Sequence, residues 1–342
     1  MNILVTGGAG FIGSSLCRLL LEKYPEDRVS VLDALTYAGN LSTVEDLEPN
    51  ERFRFHQGRI EDHDAVRRII HDDHIEAIID CAAETHNDRS LLEAGDFLKT
   101  NVFGVHNLLE AVREMRVPRI VHVSTDEVYG STATGTFTEE SPLSPNTPYS
   151  ASKASGDLLC RAAFVAYQTP VLVTRGGNTY GPYQYPEKLI SFFATRLIDD
   201  KKVPVYGEGK QVREWIHVLD HASGIDAALR KGEPGQVYNI SDTNERENVE
   251  IVRILLDRLG KGEELVKYIA DPRGGAHDVR YSMSSEKLRG LGWKPVVPFE
   301  QGIAETIDWY AHRQNWWRPI AQKPEFQAFI KRFYGPGLGE DL

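Results

Sequence analysis

Apolar and polar positions change period along this 342-residue chain. In the first half, short apolar runs alternate with longer stretches whose apolar residues recur at helical spacing. The short runs at 3–6, 29–33, 52–56, 77–80 and 120–124 predict strands. The longer stretches at 13–23, 62–72, 97–115 and 148–167 predict helices. Residues 170–175 predict one more buried strand. Strand and helix in alternation imply a parallel sheet covered on both faces, an α/β doubly wound fold of the Rossmann type.

Beyond Gly181 this alternation breaks up, punctuated by Pro182, Pro186, Pro204, Pro234 and Pro272. The chain is therefore read as a cofactor domain over 1–180, a smaller mixed α/β lobe over 181–330, and a tail over 331–342. The lobe is expected to interleave with the first domain through a return segment near 212–242, with 237–240 rejoining the main sheet. The end of the chain carries Trp316-Trp317 and then Gly335-Pro336-Gly337. That composition predicts a terminal helix with a loose end. The chain carries no internal repeat and no low-complexity tract.

Composition narrows the classes of function. With 41% hydrophobic residues the chain can bury a substantial core. It carries 39 basic and 50 acidic residues, for a net charge of -11, which weighs against nucleic acid as a partner. Three widely spaced cysteines, Cys17, Cys81 and Cys160, suit neither a disulfide framework nor a metal site, and no metal is expected. No apolar run is long enough to cross a membrane, and the opening run Asn2-Ile3-Leu4-Val5 leaves no room for a signal peptide. A cytoplasmic protein is expected.

The first strand is followed by Gly7-x-x-Gly10-x-x-Gly13, which opens a helix. Glycines there permit a tight turn and let backbone N–H groups approach a pyrophosphate at a helix N-terminus. Asp33 stands at the end of the second strand, placed to accept hydrogen bonds from ribose hydroxyls and to repel a 2′-phosphate. NAD is therefore expected rather than NADP. A second group of residues carries chemistry. Thr125-Asp126-Glu127 follows a buried strand, at the end of the sheet where open α/β folds place ligands. Tyr149 and Lys153 lie four apart on the next predicted helix and so share one face. A phenol lowered by an ammonium suits alcohol oxidation by a nicotinamide, and Lys153 is also placed to hold the nicotinamide ribose. Two adjacent carboxylates, one protonated and one ionised, suit removal of water from the resulting ketone. A simple dehydrogenase has no use for that acidic pair.

These residues resemble the extended short-chain dehydrogenase/reductase family, and within it the nucleotide-sugar 4,6-dehydratases. The resemblance runs from Met1 to about Trp317. It rests on residues 6–13, Leu35-Thr36-Tyr37-Ala38-Gly39-Asn40, Ala82-Ala83-Glu84-Thr85-His86, residues 124–130, Tyr180-Gly181-Pro182-Tyr183 and Pro186-Glu187-Lys188-Leu189-Ile190. Related epimerases and decarboxylases share the fold and the Tyr/Lys pair but usually lack the two acids.

The resemblance implies a nucleotide-diphosphate sugar as substrate, with dTDP-glucose expected; the alternatives are a dehydratase on a UDP-linked or amino sugar, or a same-fold nucleotide-sugar epimerase or decarboxylase. It implies that Tyr149 takes the 4-hydroxyl proton, Thr125 bonds the 4-oxygen, Glu127 removes the C5 proton and Asp126 protonates the departing 6-hydroxyl. For the cofactor it implies contacts from Gly7, Gly10, Phe11, Ile12, Gly13, Asp33, Leu35, Thr36, Arg59, Ile60, Ala82, Ala83, Thr100, Tyr149, Lys153 and Thr179. For the substrate it implies Thr85, Thr125, Asn178, Lys188, Leu189, Pro204, Tyr206, Arg213, Asn248 and His277. It further implies a homodimer paired through two helices per subunit, including the one that carries Tyr149.

Three departures from the family pattern stand out. Arg59-Ile60 replaces Asp and an aliphatic residue where Asp meets the adenine, and arginine cannot accept that hydrogen bond. Gly176-Gly177 replaces a bulkier pair, and Thr179 stands in place of Asn near the nicotinamide.

Overall fold

The computed structural model describes residues 1–274 and 280–342. Seven parallel strands form the main sheet: β1 (Asn2–Thr6), β2 (Arg28–Asp33), β3 (Phe53–Gln57), β4 (Ala77–Asp80), β5 (Ile120–Thr125), β6 (Val171–Gly176) and, after three strands that lie elsewhere, β10 (Val237–Ile240). Their order is β10-β6-β5-β4-β1-β2-β3. The order reverses between β1 and β4, the switch point at which such sheets open a crevice for a dinucleotide.

Side chains alternate through this sheet as the pleat requires. Ile3 and Val5 point to one face, where they join Leu16 and Leu20 of the helix Phe11–Lys23 and Ile225 and Leu229 of the helix Val218–Lys231. Leu4, Leu32 and Ile78 point to the other, onto Val66 and Ile70 of His63–Asp72 and Leu108 and Val112 of Val105–Met115. Burial on both faces is why these strands read as unbroken apolar runs.

The remaining strands are β7 (Asn178–Tyr180), β8 (Val203–Tyr206), β9 (Val212–His217), β11 (Glu245–Glu247) and β12 (Val266–Ile269). They make a three-stranded sheet, β11-β9-β7, and a two-stranded one, β12-β8. Around them a separate core gathers Phe192, Phe193, Trp215, Leu255, Ile307 and Trp317. Its helices Leu189–Ile198, Asn248–Leu259 and Phe299–His312 fall in the region where prolines obscured the periodicity.

Two elements differ from expectation. The helix over 97–115 is not uniform: Gly95–Leu98 passes through a π-helical stretch, Lys99–Gly104, before Val105–Met115. Such stretches mark functional sites, and this one brings Thr100 to the crevice. The tail is not loose. Gln314–Ala321 and Pro324–Leu338 are helices, and Phe326, Phe329, Ile330, Phe333 and Tyr334 bury one face of the second. Arg196 Nη2 donates to the Asp341 carbonyl at 2.8 Å, and Lys267 Nζ donates to the Leu338 carbonyl at 2.6 Å. The glycine serves close packing here: a Cβ on Gly337 would lie 2.8 Å from Ile269 Cδ1.

Candidate active site

The crevice is built outward from the first turn. Gly7 has φ +66, and a Cβ on it would lie 2.8 Å from the Ala82 backbone. A Cβ on Gly13 would lie 2.3 Å from the Gly7 carbonyl oxygen. Only glycine lets this loop close against β4 and aim the N-terminus of Phe11–Lys23 into the crevice. Asp33 is fixed at the end of β2, where Oδ2 accepts from Ala9 N at 2.9 Å and Oδ1 from Leu35 N at 2.8 Å. These features fit a dinucleotide: a cradle without side chains for the pyrophosphate, then a carboxylate for the ribose.

Gly7, Gly10, Phe11, Ile12, Gly13, Asp33, Thr36, Arg59, Ile60, Ala82, Ala83, Thr100, Tyr149 and Thr179 all line this one crevice. Leu35 does not line it. Its side chain packs on the apolar core, and its contribution is the amide that orients Asp33. Lys153 is also absent from the wall. Its buried ammonium donates to the Val123 carbonyl at 2.7 Å and lies 3.4 Å from His122 Nε2. Burial lowers the Lys153 ammonium, and the charges of Asp80 and Asp157 oppose that shift.

The two acids sit where β5 ends. Asp126 and Glu127 occupy a short 3-10 turn, Asp126–Tyr129, capped by Thr125 Oγ1, which accepts from the Glu127 amide at 3.3 Å. Asp126 is 3% exposed. Its Oδ1 accepts from Thr125 Oγ1 at 3.1 Å, while Oδ2 is buried with no partner among the described residues. Burial, and then the charge of Glu127, hold its carboxyl well above the usual range. Glu127 is also raised by burial, but Lys188, Asn87 and Arg213 oppose the shift. The pair is therefore split, with Asp126 the better proton donor and Glu127 the better acceptor. Burial, and then Glu127, raise the Tyr149 phenol as well.

Glu127, Asn178, Lys188 and Leu189 line both this crevice and a second pocket that continues from it. Thr85 and Thr125 line the first, and Pro204, Tyr206, Arg213 and Asn248 line the second. Lys188 Nζ donates to the Thr85 carbonyl at 2.7 Å, and Arg213 lies over the Tyr281 ring at 4.5 Å. With Arg273 these cations make an anion-binding wall suited to a diphosphate. His277 lies outside the described residues. The resemblance did not supply Asn87, Trp215, Arg273, Tyr281 or Tyr334. These residues reach the wall from distant segments.

The Gly176–Thr179 departure has a packing counterpart. His221 occupies the space beside Gly176, and its Nδ1 lies 2.7 Å from Thr179 Oγ1. Burial pulls the His221 imidazole down to about 4.

The chain belongs to the GDP-mannose 4,6 dehydratase family, whose model matches residues 4–306. It is 46% identical over 332 residues to a dTDP-glucose 4,6-dehydratase of Streptomyces niveus, covering 95% of this chain and 97% of that one. It is 41% identical over 351 residues to the Escherichia coli dTDP-glucose 4,6-dehydratase, with 94% and 96% covered. A dTDP-glucose 4,6-dehydratase structure from Streptomyces venezuelae, solved with NAD and a dTDP ligand, superposes with a TM-score of 0.91 at 47% identity, covering 94% of this chain and all of that one. A UDP-glucose 4-epimerase of Thermus thermophilus with NAD has a TM-score of 0.83 at 29% identity, covering 91% and 99%.

Proposed function

We propose that this protein is an NAD-dependent nucleotide-sugar 4,6-dehydratase acting on dTDP-glucose. The observation that carries the reading is the split carboxylate pair Asp126–Glu127 beside Tyr149, at the end of β5 and at the join of two pockets. The larger crevice takes NAD along the Gly7–Gly13 turn and Asp33. Lys188, Arg213 and Arg273 hold the nucleotide diphosphate. NAD supplies a hydride acceptor for C4 and, once reduced, a hydride donor for C6.

The residues of the chain manage the protons. Tyr149, as the phenolate, accepts the 4-hydroxyl proton, and Thr125 bonds the 4-oxygen. The 4-ketone acidifies the C5 proton. Glu127 removes it, and Asp126 donates its proton to the departing 6-hydroxyl, which leaves as water. C5 is reprotonated when C6 is reduced, giving a 4-keto-6-deoxy sugar without net redox change. An epimerase reading leaves both acids without work.

Two further readings go with this one. Leu158, Val165 and Tyr167 on the Tyr149 helix and Phe103 beside it are exposed apolar residues, which supports a homodimer through these helices. The three cysteines are free thiols, which supports a cytoplasmic location. Among the described residues no helix is long and apolar enough to cross a membrane.

Mass spectrometry of dTDP-glucose, UDP-glucose and UDP-N-acetylglucosamine after incubation in deuterated water tests the function. Loss of one water with one deuterium gained from dTDP-glucose is expected. Unchanged masses in all three would overturn it.

A further inference from the structure

Glu127 is held by a residue that the proton transfers above do not use. Asn87 opens the short helix Asn87–Leu92. Its Nδ2 donates to Glu127 Oε2, and its Oδ1 accepts from Thr147 Oγ1 at 2.6 Å. Among the described residues no hydrogen bond engages Glu127 Oε1, on a side chain that lines both pockets.

Thr147 decides which way the amide of Asn87 faces. It is the N-cap of Pro148–Tyr167, and its Oγ1 accepts from Ser150 N at 3.1 Å. Ser150 Oγ, 2.9 Å from that oxygen, is engaged with the Thr147 N–H and carbonyl. The Thr147 hydroxyl proton therefore goes to Asn87 Oδ1, which leaves the NH2 end on the carboxylate. One N-cap thus references both Glu127, through Asn87, and Tyr149, through the helix it starts.

We infer that Asn87 is a positioning residue for Glu127, anchoring the carboxylate by Oε2 so that Oε1 is presented to the C5 proton. The inference rests on the reading of Glu127 as the base. A donor on a carboxylate also favours its ionised form. Asn87 opposes the rise that burial imposes on Glu127. Val in place of Asn keeps the size and removes the donor. Asp keeps the shape and replaces the donor with a like charge.

The experiment compares Asn87→Val, Asn87→Asp, Asn87→Ser and Glu127→Gln. It reads kcat and KM against pH, deuterium gain at C5, and the near-ultraviolet absorbance of reduced nicotinamide. In Asn87→Val the acidic limb of the kcat profile should rise by about one to two pH units. Neutral-pH kcat should fall by about ten-fold or more with KM little changed. Asn87→Asp should shift the limb further, and Asn87→Ser, with a shorter donor, should recover part of the loss. Oxidation at C4 should persist in all three. Should Asn87→Val not fold, the Asp and Ser variants decide: both should raise the limb above wild type, Asp by more than Ser. Wild-type profiles in the soluble variants, or equal losses of oxidation and elimination, would overturn the inference. Normal turnover by Glu127→Gln would instead remove the reading of Glu127 on which it rests.

Discussion

A Cβ on Gly176 would lie 2.2 Å from Cε1 of His221, so the two residues share one volume at the end of β6. Gly176→Ala should therefore overpack the site and cost about 1–3 kcal/mol in urea unfolding. It should also push His221 off Thr179, 2.7 Å away. His221→Ala should recover most of that cost when combined with Gly176→Ala, because the clash is then absent. Additive effects of the two changes would show that they do not compete for space.

Glu127→Gln should leave C4 oxidation measurable and lower elimination by about 10²–10⁴-fold. The expected signature is a rise in reduced-nicotinamide absorbance without deuterium gain in the sugar. Asp126→Asn should also stall elimination, but it should still exchange the C5 proton, since Glu127 remains. Isotope analysis of recovered substrate separates the two.

Acid should weaken the fold through His221. Its folded value is pulled down to about 4 by burial, against 6.5 when unfolded. Between those values the unfolded chain binds a proton that the folded chain refuses. Stability therefore falls as pH drops from about 6.5 to 4, by about 3 kcal/mol from this residue alone, and levels off below. His86 and His217 are shifted in the same direction by burial and add to the slope. Denaturant titrations across that range should show a shallower dependence for His221→Gln than for the wild type.

Tyr334 connects the C-terminal helix to the substrate wall. Its hydroxyl donates to Asp88 Oδ2 at 3.2 Å, and Arg273 Nε lies 2.9 Å from Asp88 Oδ1. Tyr334→Phe should cost about 1–2 kcal/mol of stability. It should raise the KM for the nucleotide sugar more than it changes kcat, since Tyr334 lines the second pocket and lies off the acid pair. A loss confined to kcat would contradict this.

Light scattering of the purified protein should give twice the chain mass. Leu158→Asp, on the exposed face of the Tyr149 helix, should lower it toward the monomer. A monomeric wild type at working concentration would refute the pairing.

Local signals in the sequence were enough for the first half of the fold. Gly7, Gly10 and Gly13 sit where the first strand turns into its helix, and Thr125-Asp126-Glu127 stands at the end of a buried strand. Lys153 was legible from its helical spacing with Tyr149, whereas the contacts of its ammonium with the Val123 carbonyl and His122 depend on the fold. Arg213 and Tyr206 emerged only through the family resemblance, because neither β8 nor β9 carries a motif of its own. Tyr334 could not be read at all: its partner Asp88 lies 246 residues away, and a Gly-Pro-Gly run beside it mimics a disordered end.

The strand β10 returns to the main sheet beside β6 only after β7, β8 and β9 have been laid down in the second lobe. Neither lobe is thus a continuous stretch of chain. A chimera that borrows another enzyme's sugar specificity would need several splice points, not one. Natural recombination at a single junction would be expected to break the sheet before it changed the substrate.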